Sequence, residues 1–113
     1  MLKFKNAEEQ AAWTMAEALN AKGFDAMRNA EKAAEFYLNG KMRNRRECQA
    51  RGTSSADADI RWSATSGAKK ALSDNSWYMA QAVMYHEAAS AQYARARYLC
   101  RDATNASHDG CVQ

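Results

Sequence analysis

Proline is absent from this chain of 113 residues, and glycine occurs only five times. Backbone that lacks both has little to stop a helix, because proline removes a donor and glycine adds entropy cost. Cysteine is scarce: Cys48, Cys100 and Cys111 are the whole set, with no Cys-x-x-Cys pair. That spacing points to neither a zinc site nor a redox motif. Reduced thiols in a cytosolic protein are expected, and a Cys100–Cys111 link would need an oxidising compartment. No stretch approaches the roughly 20 apolar residues of a membrane span. The start, residues 1–6, has no apolar core of signal-peptide length, so an intracellular, cytoplasmic protein is expected.

Histidine is equally sparse, with His86 and His108 alone. Glu-x-x-His, the di-iron pattern, is missing, and so is His-Glu-x-x-His. His86 and Glu87 are adjacent, but neighbouring helical residues diverge by about 100° and do not face one target. The glycines stand apart, so no loop cradles phosphate. No catalytic residue, metal ligand or cofactor is assigned, and the chain is read as no enzyme.

What is present is alanine, the commonest residue, within a composition 47% hydrophobic and 26% charged. That balance fits a single globular domain, with a core kept thin by small side chains and helices set close together. Aromatics and methionines are expected to supply most of the buried area. Modest stability follows, with a homodimer as a supplement. Net charge is +3, which permits contact with nucleic acid or an acidic protein.

Apolar periodicity divides the chain into four helices and no strand. Asn6 and Glu9 form a capping box for the first, whose stripe is Ala12, Met15, Ala16 and Leu19. Gly23 is read as its stop and Asp25 as the next cap. The second stripe is Ala26, Met27, Ala30, Ala33, Ala34, Tyr37 and Leu38, ending at Asn39-Gly40. Residues 41–55 are then a basic arm and linker between hairpins. Ser54 with Asp57 opens a third helix, with Ile60, Ala64, Gly67, Ala68, Ala71 and Leu72 on its stripe. A polar corner at residues 73–76 leads into the longest helix, about residues 75–101. Residues 104–113 form a flexible tail. The expected fold is all-α: two antiparallel helical hairpins making a small four-helix bundle.

The long helix has two apolar faces. One carries Trp77, Ala80, Met84, Ala88, Ala91, Tyr98 and Leu99. The other carries Tyr78, Ala82, Tyr85, Ala89, Tyr93, Ala96 and Cys100. Burial on both sides would make it a central strut. Tyr78, Tyr85 and Tyr93 form a ladder that serves either as core with hydroxyls at the rim or as a protein-binding surface. Glu87 and Arg95 are read as an internal pair or a partner contact. Trp62 points away from its helix's stripe. It is either a protein-binding anchor or is covered by the arm or a neighbouring helix. Lys41, Arg43, Arg45, Arg46 and Arg51 place five cations in eleven residues. Such a run either meets nucleic-acid phosphates or is simply solvated.

In its small size, its alanine-rich helices and its 75–101 segment, the chain resembles the small orphan helical proteins encoded by bacteriophages. That resemblance implies an accessory role: inhibitor of a host protein, or aid to assembly or DNA handling. The function expected is therefore non-enzymatic binding of another macromolecule, a protein first and nucleic acid as the alternative.

Overall fold

The computed structural model describes residues 4–103, with side chains through Cys100. The chain is all-α, with three helices: α1 Ala7–Ala50, α2 Ser55–Ser63 and α3 Ser66–Ala103. Three of the expected helix ends, at Gly23, at Asn39-Gly40 and at residues 73–76, do not exist. The four-helix bundle is therefore replaced by two long helices and one short one.

The expected starts hold where a side chain meets a free backbone donor. Asn6 Oδ1 accepts from the Glu9 N–H at 2.7 Å, and the Glu9 carboxylate accepts from the Lys5 N–H. Ser54 Oγ accepts from the Asp57 N–H and caps α2. α1 ends in a Schellman pattern: Thr53 N–H donates to Cys48 O and Gly52 N–H to Gln49 O. Gly52 takes φ +80°, the left-handed value this closure needs.

α1 runs straight through Gly23 and Gly40. Neither has positive φ, and both are buried. A Cβ on Gly23 would lie 2.6 Å from the His86 ring, and one on Gly40 would lie inside the Trp62 indole. These glycines are notches for a neighbour's ring. The corner expected at residues 73–76 is likewise helical, and two of its polar side chains have partners. Asp74 pairs with Lys70 one turn back, and Asn75 Nδ2 donates to the Ala30 carbonyl at 2.8 Å. The break falls earlier, at Ala64-Thr65. There the Thr65 hydroxyl donates to Trp62 O and accepts from the Ala68 N–H, closing α2 and opening α3.

The chain forms two units. The first contains the described parts of Met1–Asp25 and Ala82–Gln113. In it α1 and α3 run antiparallel. Trp13 meets Tyr93 edge-on at 4.6 Å, and Asn20 Oδ1 lies 2.7 Å from His86 Nδ1. These contacts sit two helical turns apart on each helix. Glu9, Ala12, Ala16, Leu19 and Gly23 line the α1 side in steps of three and four. Ala82, Tyr85, Ala89, Gln92 and Ala96 do the same on α3. Such spacing keeps one seam facing the partner helix. Glu9 closes the seam with 0% exposure, and its Oε2 has no hydrogen-bond partner among the described residues.

The second unit is Ala26–Gln81. Here α2 packs on the end of α1. Trp62 lies over Gly40, with Tyr37 and Phe36 at 6.0 and 6.4 Å between ring centres. Asn44 Nδ2 donates to the Ala58 carbonyl, and Arg45 forks onto Asp59. In the α1–α3 seam Ala30 faces Asn75, and Ala26, Ala68 and Ala71 are buried.

Across both units, ten of the thirteen buried apolar residues described are alanines; the others are Cys48, Trp62 and Cys100. The core is thin, as expected, but aromatics and methionines do not fill it. Alanine costs no side-chain entropy on burial and lets backbones approach. Cys48 is a free thiol and Cys100 is disulfide-bonded. The expectation of reduced thiols therefore fails at Cys100. Cys111, His108 and the tail expected at residues 104–113 lie outside the described residues.

Candidate functional site

Large apolar side chains stand on the outside. Met15, Phe24 and Met27 of α1 are exposed, as are Phe36, Leu38 and Met42. Ile60 of α2 is 67% exposed, and Leu72, Trp77, Met79, Val83, Met84 and Tyr98 of α3 are exposed too. An isolated surface leucine needs no explanation. A fold that buries alanine while showing phenylalanine, tryptophan and isoleucine to solvent does, since the larger groups would contribute most by burial.

α3 shows how the sides are assigned. Its Ala82–Ala89–Ala96 face is buried, with Tyr85 and Tyr93 half-buried beside it in the first unit. Tyr78 is half-buried in the second. The three tyrosines of the ladder are thus half-buried, each with a ring or cation contact within the chain. Tyr93 meets Trp13 edge-on, Tyr85 lies beneath the Lys22 ammonium at 5.9 Å, and Tyr78 meets Trp77 edge-on. The opposite face is open: Trp77 is 59% and Tyr98 66% exposed. α3 is therefore covered on one side, in contrast to the strut expected from its two apolar faces. Glu87 and Arg95 are exposed, and neither enters an ion pair among the described residues. His86 is half-buried on the notch at Gly23, edge-on to Phe24 at 5.0 Å.

Trp62 is 9% exposed. Its ring packs against α1 over Gly40, beside Tyr37 and Phe36. The expected basic arm is helical through residue 50. Arg45 is held by Asp59, and this hydrogen bond raises the guanidinium pKa. The same bond depresses the Asp59 pKa against opposing desolvation, with smaller help from the Arg45 and Lys41 charges. Arg43, Arg46 and Arg51 remain exposed, while Lys41 is half-buried.

A groove of about 400 Å³ lies within the second unit. Asn29, Lys32, Ala33 and Phe36 form its α1 wall; Gly67, Lys70, Ala71, Asp74 and Tyr78 form its α3 wall. Ala33, Gly67 and Ala71 supply an apolar floor between two lysines. Lys70 Nζ bonds Asp74 Oδ2 at 2.8 Å, which raises the ammonium pKa. Sequence reading missed this site because Phe36 falls outside the α1 stripe. Its one visible signal is Gly67, a small residue on a helix stripe.

No group of three or more histidine, cysteine, aspartate or glutamate side chains able to hold a metal occurs among the described residues. No described helix is long and apolar enough to cross a membrane. No family model, curated protein or solved structure matches the chain.

Proposed function

We propose that this chain is a non-enzymatic interaction protein that works by binding another protein through the large apolar side chains outside its alanine core. The inversion of burial carries the reading: ten alanines inside, and outside them Phe36, Ile60, Trp77, Met84 and Tyr98 among others. Apolar area held in water is stabilising only once a partner covers it, and aromatic and methionine side chains are the usual anchors of such contacts. A second copy of the chain is one such partner. An accessory protein that occupies a face of a host protein is another.

Nucleic acid fits less well. Of the five cations grouped at residues 41–51, Arg45 is committed to Asp59 and Lys41 is half-buried beside that pair.

Sedimentation velocity across a concentration series, followed by cross-linking of whatever associates, tests the reading. Association that maps onto the exposed apolar residues supports it. A monomer that captures no protein would overturn it. So would a monomer that binds only labelled duplex with steep salt dependence, the mark of phosphate contact.

A further inference from the structure

Four glycines lie among the described residues, and three have a structural cause. Gly52 has positive φ, Gly23 makes room for His86 and Gly40 for Trp62. Gly67 has none of these causes. Its φ is not positive, and a Cβ there would meet only Phe36, at an ordinary 3.7 Å. Alanine would fit the space and favour the helix. What the missing side chain leaves open is the floor of the groove.

The second unit also shows what kind of object seats beside α1. Asn29, Ala33, Phe36, Gly40 and Asn44 succeed one another at steps of three and four, so they form one stripe of α1. α2 covers its far end, setting Trp62 over Gly40 and taking the Asn44 amide on the Ala58 carbonyl. Past Phe36 the stripe becomes the wall of the groove, with Gly67 across from it. A large residue over a glycine is how this fold seats a helix, and at Gly67 only the edge of Phe36 comes near, at 3.7 Å. The α3 wall, Gly67 to Tyr78, is about 16 Å long by helical rise, or three turns.

Charge narrows the occupant further. Lys32 stands on one wall, and on the other Lys70 is paired with Asp74, the one acid of the lining, which leaves one net positive charge. An excess of positive charge flanking an apolar floor suits an apolar stripe bordered by carboxylates.

We infer that the groove at Phe36 and Gly67 docks an amphipathic, acid-flanked helix of a partner protein, with a large apolar residue seated over Gly67. This rests on the protein-binding reading above and assigns it a place and a chemistry. Recognition follows the helix-in-groove mode, with anchors at i, i+3 or i+4, and i+7.

The test is a display selection of random peptides of about fourteen residues, long enough for the three-turn wall, against the full chain. Enriched peptides are expected to carry apolar residues at three- and four-residue spacing and a net negative charge. Gly67→Leu fills the floor and is expected to weaken them at least about tenfold, as loss of a central anchor does. Lys32→Glu, on an exposed side chain, is expected to shift the selection toward basic flanks, and circular dichroism checks that both variants keep their helices. Enrichment without that spacing or charge overturns the proposal, as does indifference to Gly67→Leu in a folded variant or no enrichment at all. If the chain still associates with protein through Trp77, Met84 or Tyr98, only the groove falls. If it associates with no protein, the broader reading falls with it.

Discussion

The Trp62 ring occupies the space where residue 40 would carry its first side-chain carbon. The indole is 9% exposed, and Tyr37 and Phe36 flank it. Gly40→Ala is therefore expected to destabilise the chain by about 1–3 kcal/mol through overpacking. Trp62→Ala is expected to cost about 3–5 kcal/mol. In the Trp62→Ala background the added Gly40→Ala should cost nothing, or gain up to about 1 kcal/mol of helix propensity. A double-mutant cycle from urea midpoints reads this coupling; additive effects would show that the two residues are not in contact.

The other glycines sort by cause. Gly23→Ala should destabilise, because its Cβ would fall 2.6 Å from the His86 ring, and His86→Ala should relieve the effect. Gly52→Ala should cost about 1–2 kcal/mol for its left-handed backbone, although the space around it is open. Gly67→Ala should be neutral or stabilising by up to about 1 kcal/mol. Thermal melts of the three variants check the order.

These glycines also show where the sequence could be read and where it could not. Caps are local: Asn6 with Glu9, and Ser54 with Asp57, were legible because the donor lies three residues away. The use of Gly23 and Gly40 is not local. Glycine closes helices and also admits a neighbour's ring, and the rings here belong to residues 86 and 62. Asn75 looks like a cap until its amide is seen on the Ala30 carbonyl, 45 residues away.

The stripes were half right for a related reason. Most of the buried positions in them are alanines, as at Ala12, Ala16, Ala26, Ala30, Ala68 and Ala71, although Ala64 is exposed. Their large companions Met15, Met27, Leu38, Ile60 and Leu72 are outside. Ranking positions by hydrophobicity put the bigger side chain in the core. Here close approach of helices decided instead, and only small residues allow it. The groove was illegible because Phe36 and Gly67 come together only through tertiary packing.

Asp59 gives a pH dependence. Its folded pKa is depressed by the bond from Arg45, so the pair stabilises the fold above the ordinary carboxylate value of about 4. That contribution is lost as pH falls through the lowered value. The pair is solvent-accessible and the effect accordingly small. Asp59→Asn should lower the urea midpoint slightly at neutral pH and leave it unchanged once the pH is below the lowered Asp59 value. An equal deficit at both values would mean that the carboxylate charge is irrelevant.

The thiols should differ in how they are reached. Cys48 is 4% exposed and free, so a thiol reagent should label it only when the chain unfolds. Cys100 should stay unlabelled even in denaturant until a reductant is added. Peptide mass mapping after each step reads both. A Cys100 that labels without reductant would show that the chain lacks this disulfide.

The central claim is that alanine holds this fold together and that its large apolar side chains serve a partner. The most direct measurement is paired: urea unfolding and sedimentation velocity on Trp77→Ser, Met84→Ser and Tyr98→Ser. The account predicts stability within about 0.5 kcal/mol of the parent for each, as for surface positions, together with weakened association. Losses of about 2–5 kcal/mol in stability would contradict it, because they would make these residues the core.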